Sequence, residues 1–242
     1  MKWVNYMPVV DIFGLPGAGK TTLEGFIVSQ QSLAVPVHGG EISCSHPRKN
    51  PDHWCVEKKF QTLKKLKRAQ ALNRFIRLNQ RFWNEVTNFP QFVSPQERDT
   101  FVSYLKDSAT RYQLGLGATR LGHWRVDSEG LTQRLLSFCQ RTDSSYARFF
   151  YDLYPKPDVF VYLECSPRVA ATRRLLRFKK SGRDVGRYDD DLLLMASEQL
   201  AEMAIEAGSP VIRLQAGLSV EHLAEELNEG LSRLKLEDDD LL

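Results

Sequence analysis

The sequence predicts an α/β chain whose strands form a parallel, doubly wound sheet. Three observations carry that expectation. Short apolar runs alternate with amphipathic stretches along the chain, the pattern of a sheet covered by helices. The first apolar run breaks into a glycine-rich loop that opens a helix. The 242 residues are 42% apolar and 26% charged, enough to bury one sizeable core. No apolar run approaches the roughly 18 residues a membrane span needs. The start, "MKWVNYMPVVDI", is too short an apolar stretch for a secretory leader. Four cysteines in a chain this long do not make a disulfide framework. A soluble, cytoplasmic protein of one domain, residues 1–242, is expected. A net charge of +3 does not by itself imply a nucleic-acid partner.

The elements follow in order. "MPVVDIF" is a buried strand ending at Gly14, and "KTTLEGFIVSQQ" has the apolar spacing of a helix. Val35 to Ser43 reads as the second strand, weakened by Gly39-Gly40, and Pro47 and Pro51 mark a loop after it. Residues 57–87 read as one long amphipathic helix with Phe60, Leu63, Leu72, Phe75, Phe82 and Val86 on its apolar stripe. At "SPQE" Ser94 caps a further helix, with Pro95 in its first turn and Glu97 completing a capping box. These helices make a long insertion, about 45–117, between strands. "HWRVDSEG" is a strand ending at Asp127, followed by helices over about 129–140 and 143–153. "PDVFVYLECSP" is the clearest strand, and Ser166-Pro167 caps the next helix. "SPVIRLQAG" is the last strand, and Ser219 caps a final helix over about 220–235.

Gly14-x-x-x-x-Gly19-Lys20-Thr21 fits the P-loop (Walker A) pattern and stands where it must, between a strand and a helix. Glycines let backbone N–H groups turn inward toward phosphate oxygens, and the helix N-terminus adds positive potential. Gly14, Pro16, Gly17, Ala18, Gly19, Lys20, Thr21 and Thr22 are therefore the expected triphosphate cradle. Lys20 would reach the β- and γ-phosphates, and the Thr21 hydroxyl would ligate Mg²⁺. A nucleoside triphosphate, ATP, is the expected ligand, with the preference between ATP and GTP left open. The loop alone does not say whether phosphate goes to water or to a second substrate.

The order of motifs resembles the P-loop kinases of nucleosides and nucleotides, the deoxynucleoside-kinase and thymidylate-kinase group. The likeness is strongest over 8–28 and 157–230 and weakest over 45–115. It implies a three-layer P-loop fold with five parallel strands in the order 2-3-1-4-5. It also implies a helical acceptor-side insertion and an arginine-rich lid at about 178–190. "PDVFVYLECSPRVAATRRLLR" is similar to that group's fourth strand and the helix leading to its lid. By resemblance Arg173 stacks on the adenine and Arg183 or Arg187 touches phosphates, and Arg177 counts among the residues expected to bind ATP. The loop Ala216-Gly217-Leu218 wraps the base. Glu41, at the end of the expected second strand, resembles the glutamate that takes the proton from the attacking hydroxyl, although Ile42 stands where a proline usually follows. "VDSEGLTQR" resembles a third-strand motif in which an acid precedes Glu-Gly; Asp127 would hold the Mg²⁺ water shell or orient a hydroxyl. Glu129 would point differently, and Arg134 would reach substrate. Glu41 and Asp127 compete for the base.

The implied activity is transfer of the γ-phosphoryl of ATP, with Mg²⁺, to a hydroxyl or phosphate of a small metabolite. Alternatives are a nucleoside monophosphate kinase and an ATP-gated module that binds nucleic acid through the basic helix, Lys58 to Arg81. That helix reads more simply as a solvated face, so no nucleic acid and no membrane partner is expected; a homodimer stays open. Cys44-x-His46 and His53-x-Cys55 flank a proline-rich loop and could hold Zn²⁺, but they lack the usual ligand spacings.

Overall fold

The computed structural model describes residues 8–29, 53–56, 65–89, 94–116, 123–139, 144–181 and 189–239. The described strands are β1 (Val9–Phe13), β2 (His53–Val56), β3 (His123–Asp127), β4 (Val159–Glu164) and β5 (Val211–Gln215). They line up as β2-β3-β1-β4-β5, and every neighbouring pair is parallel. The described helices are α1 (Lys20–Ser29), α2 (Lys65–Leu78), α3 (Gln80–Thr87), α4 (Pro95–Leu116) and α5 (Leu131–Cys139). They continue with α6 (Ser144–Leu153), α7 (Pro167–Ser181), α8 (Asp190–Glu206) and α9 (Val220–Asp239).

Strand periodicity sorts side chains to two faces. On β4, Val159, Val161 and Leu163 join an aliphatic core with Leu23 and Ile27 of α1 and Leu223, Leu227 and Leu231 of α9. Phe160 and Tyr162 turn the other way, into an aromatic core with Phe75, Phe82, Trp83, Phe150 and Tyr154. On β1, Val10 and Ile12 take the first face and Phe13 the second. The insertion helices therefore cover one face of the sheet, and α1 with α9 cover the other.

Local signals placed many of these elements. Ser94, Ser166 and Ser219 accept hydrogen bonds from the N–H groups of Glu97, Val169 and His222, the capping geometry expected at each helix start. Other elements differ. The expected strand over Val35–Ser43 lies outside the described residues; the strand beside β3 is His53–Val56, which the sequence assigned to a loop. The expected single helix 57–87 is two over its described part. Asn79 leaves helical geometry at φ −124° and ψ 40° while its Nδ2 donates to the Phe75 carbonyl at 3.0 Å. Such a side-chain bond offers the backbone an alternative to continuing the helix. Helix α8 had no counterpart in the sequence reading. Asp189, placed there in the basic lid, caps it by accepting from the Leu192 N–H. Of the expected lid, 178–181 are the end of α7.

Candidate active site

Gly14, Gly17 and Gly19 hold φ values of 137°, 94° and 111°, where a side chain is strained. Space is as restrictive as conformation. A Cβ on Gly14 would lie 2.6 Å from the Leu163 carbonyl oxygen, and one on Gly17 would lie 2.5 Å from that of Ala170. The loop is thus pressed against β4 and α7. Helix α1 opens directly behind it: the N–H groups of Thr22 and Leu23 both donate to the Gly19 carbonyl at 2.9 Å, and Ala18 N–H donates to Leu15 O at 3.1 Å.

Lys20 is buried, and its Nζ donates to the carbonyls of Gly14 and Leu15 at 2.8 and 2.9 Å. Burial pushes its ammonium down to about 8; among nearby charges, the Glu129 carboxylate acts against this and Arg134 and Arg177 act with it. Thr21 and Thr22 are exposed on the first turn.

Arg173 of α7 donates from one Nη to the Ala18 carbonyl at 2.9 Å and from the other to the Ala216 carbonyl at 2.8 Å. It ties the loop to the turn after β5. Beside it opens a pocket of about 330 Å³, lined by Gly17, Gly19, Thr22, Arg177, Ala216 and Leu218, among others. The expected base-binding residues are therefore brought together, with Gly217 between two lining residues. Arg173 stands as a wall held by two carbonyls. Arg174, one of the arginines on the helix leading to the expected lid, bonds the Pro16 carbonyl and pairs with Asp190. Arg183, Arg187 and Glu41 lie outside the described residues, as do Cys44 and His46; His53 and Cys55 fall on β2.

The carboxyl end of β3 is a charged cluster. Asp127 is buried, level with Asp11 of β1 in the parallel register. One Asp127 oxygen accepts the Glu129 N–H at 3.0 Å and lies 3.6 Å from an Arg111 nitrogen. Asp11 is pushed up to about 6, by burial first and then by the Asp127 charge, against hydrogen bonds from the Thr132 N–H and hydroxyl. Glu24 of α1 is pushed up to about 7 by the same two causes, against its bond from the Ser128 hydroxyl. Gly130 fits because a Cβ there would lie 2.0 Å from an Asp11 oxygen. Sequence reasoning missed Asp11, Glu24 and Arg111. An acid inside the apolar run "VVDIF" was a readable signal for Asp11, whereas Arg111 on a polar helix had none.

No family model matches the chain, and no curated protein matches it in sequence. Among solved structures it is similar to a deoxyadenosine kinase from M. mycoides. With products dCMP and dCDP bound, that structure matches at 15% identity and a TM-score of 0.47, covering 93% of this chain and 99% of the other. With dATP bound, it matches at 14% identity and a TM-score of 0.48 over the same shares.

Proposed function

We propose that the chain is a P-loop kinase that moves the γ-phosphoryl of ATP to a hydroxyl or phosphate of a small metabolite. The observation that carries this is the continuity of the glycine cradle with the pocket of about 330 Å³ beside it, joined by Arg173 through the Ala18 and Ala216 carbonyls. The triphosphate would lie along the loop amides, and Lys20 would exchange its two carbonyl partners for phosphate oxygens. The base would enter the pocket beside Arg173 and Arg177. In-line transfer builds charge on the phosphoryl oxygens, which Lys20, with Arg183 and Arg187 of the lid segment, would stabilise.

Mg²⁺ takes oxygen ligands, and the exposed Thr21 hydroxyl on the first turn of α1 offers one. Among the described residues no three His, Cys, Asp or Glu gather as a metal cage. A magnesium ion shared with phosphates uses only one or two protein ligands, for which the Thr21 hydroxyl and Asp127 are the proposed candidates. Bound there, it would neutralise charge on the β- and γ-phosphates. Glu41 and Asp127 remain the proposed candidates for the acceptor's proton.

A screen of pooled small metabolites with γ-labelled ATP tests the reading. The expected result is labelled product above water hydrolysis that disappears in Lys20→Ala. Hydrolysis alone, or transfer that survives Lys20→Ala, sinks it.

A further inference from the structure

We propose that Glu129, held by Arg134, is a side chain that meets the acceptor, its carboxylate taking the hydrogen bond of an acceptor hydroxyl. The proposal rests on the phosphotransfer reading above and deepens it. Two carboxylates stand at the end of β3, and they differ in what they face. Asp127 is 1% exposed and engaged with the Glu129 N–H and Arg111. The Glu129 side chain is 47% exposed. In the parallel register Asp127 is level with Asp11, so the turn after β3 leaves the sheet beside β1, two residues before that strand ends at Phe13 and gives way to the phosphate loop. The Glu129 carboxylate acts to raise the Lys20 ammonium and the Arg134 guanidinium to lower it, so both lie within electrostatic reach of the group that would hold the transferring phosphate.

The turn that carries Glu129 is fixed on every side. Its N–H is held by Asp127, and its carbonyl accepts from the Ser108 hydroxyl at 2.9 Å and from Arg111. Its carboxylate pairs with Arg134, which also donates to the Ser108 hydroxyl at 3.1 Å and lies 5.1 Å over the Tyr104 ring. Tyr104, Ser108 and Arg111 follow one another at helical spacing on α4, so the insertion builds this support. Preorganisation of this kind is what a positioning carboxylate requires. It also sets a preference. Arg134 is neutralised by Glu129, so an acceptor presenting a phosphate here meets a carboxylate, whereas a hydroxyl finds an acceptor for its proton.

The test uses the purified full chain with a hydroxyl acceptor found in the screen. Losing a hydrogen bond to a charged group predicts that Glu129→Gln raises the acceptor KM at least ~10-fold, while the KM for ATP stays within about twofold of wild type. The wild-type protein is expected to use the hydroxyl acceptor in preference to its phosphorylated form, and Glu129→Gln to narrow that preference. Glu129→Asp, which keeps the charge but withdraws it by one methylene, should fall between the two and covers the case in which Glu129→Gln folds poorly. An unchanged acceptor KM in both variants, or a wild-type preference for the phosphorylated acceptor, overturns the proposal while the kinase reading stands. Absence of any phosphoryl transfer overturns both.

Discussion

The two faces of the sheet are packed from different materials. Beneath α1 and α9 the core is aliphatic: Val10, Ile12, Val161 and Leu163 meet Leu23, Ile27 and Leu227. Beneath the insertion it is aromatic: Phe13 stacks on Tyr162 with ring centres 5.2 Å apart and planes 11° apart, and Phe75 meets Phe82, Trp83 and Tyr112 edge-on. Branched side chains of α1, Leu23 and Ile27, pack on the same face of the sheet as the strand that runs into the phosphate loop. The aromatic side also carries charge: Arg125 is 1% exposed and donates to the Tyr112 carbonyl near the end of α4. The proposed donor side is thus shaped by backbone, and the proposed acceptor side by side chains and ion pairs.

Truncating a ring should show the difference most strongly. Phe13→Ala removes a side chain packed on Tyr162 and Phe160 and is expected to cost about 3–5 kcal/mol, read from the denaturant midpoint. A loss under about 1 kcal/mol would mean that the aromatic face closes over the cavity.

The next effect is kinetic. Lys20→Ala should lower turnover at least ~10²-fold, the scale for losing one donor to the transferring phosphate. Steady-state rates at saturating ATP check this, and near wild-type turnover would remove the donor side from the comparison.

A smaller effect tests the charged end of β3. Because the Glu24 carboxyl is raised from 4.5 to about 7, the folded protein holds a proton that the unfolded chain has lost in that window. Stability therefore falls as pH rises from about 4.5 to about 7, by at most about 1.4 kcal/mol per pH unit for one proton. Glu24→Gln should flatten that slope in a series of melting curves. Asp11, raised to about 6, leaves a residual slope in the lower part. An unaltered slope in Glu24→Gln would show that Glu24 does not titrate there.

The smallest effect belongs to the aliphatic face. Ile12→Val should cost about 0.5–1.5 kcal/mol, several times less than Phe13→Ala one residue along the same strand. Equal costs would erase the distinction between the faces.

Sequence alone determined what short-range rules govern. The loop from Gly14 to Lys20, the flanking strand and helix, the run Val159–Glu164 and the caps at Ser94, Ser166 and Ser219 were legible. Backbone conformation, side-chain period and capping bonds there depend on residues within a few positions. Tertiary structure decided the rest. It broke the insertion helix at Asn79, made His53–Val56 the strand beside β3, folded Asp190–Glu206 against the aromatic face and set Arg173 between Ala18 and Ala216. It also turned Asp127 inward to Arg111 while leaving Glu129 at the surface. Each of these depends on partners distant in the chain, and a residue's neighbours in sequence carry no record of which distant group will hold it.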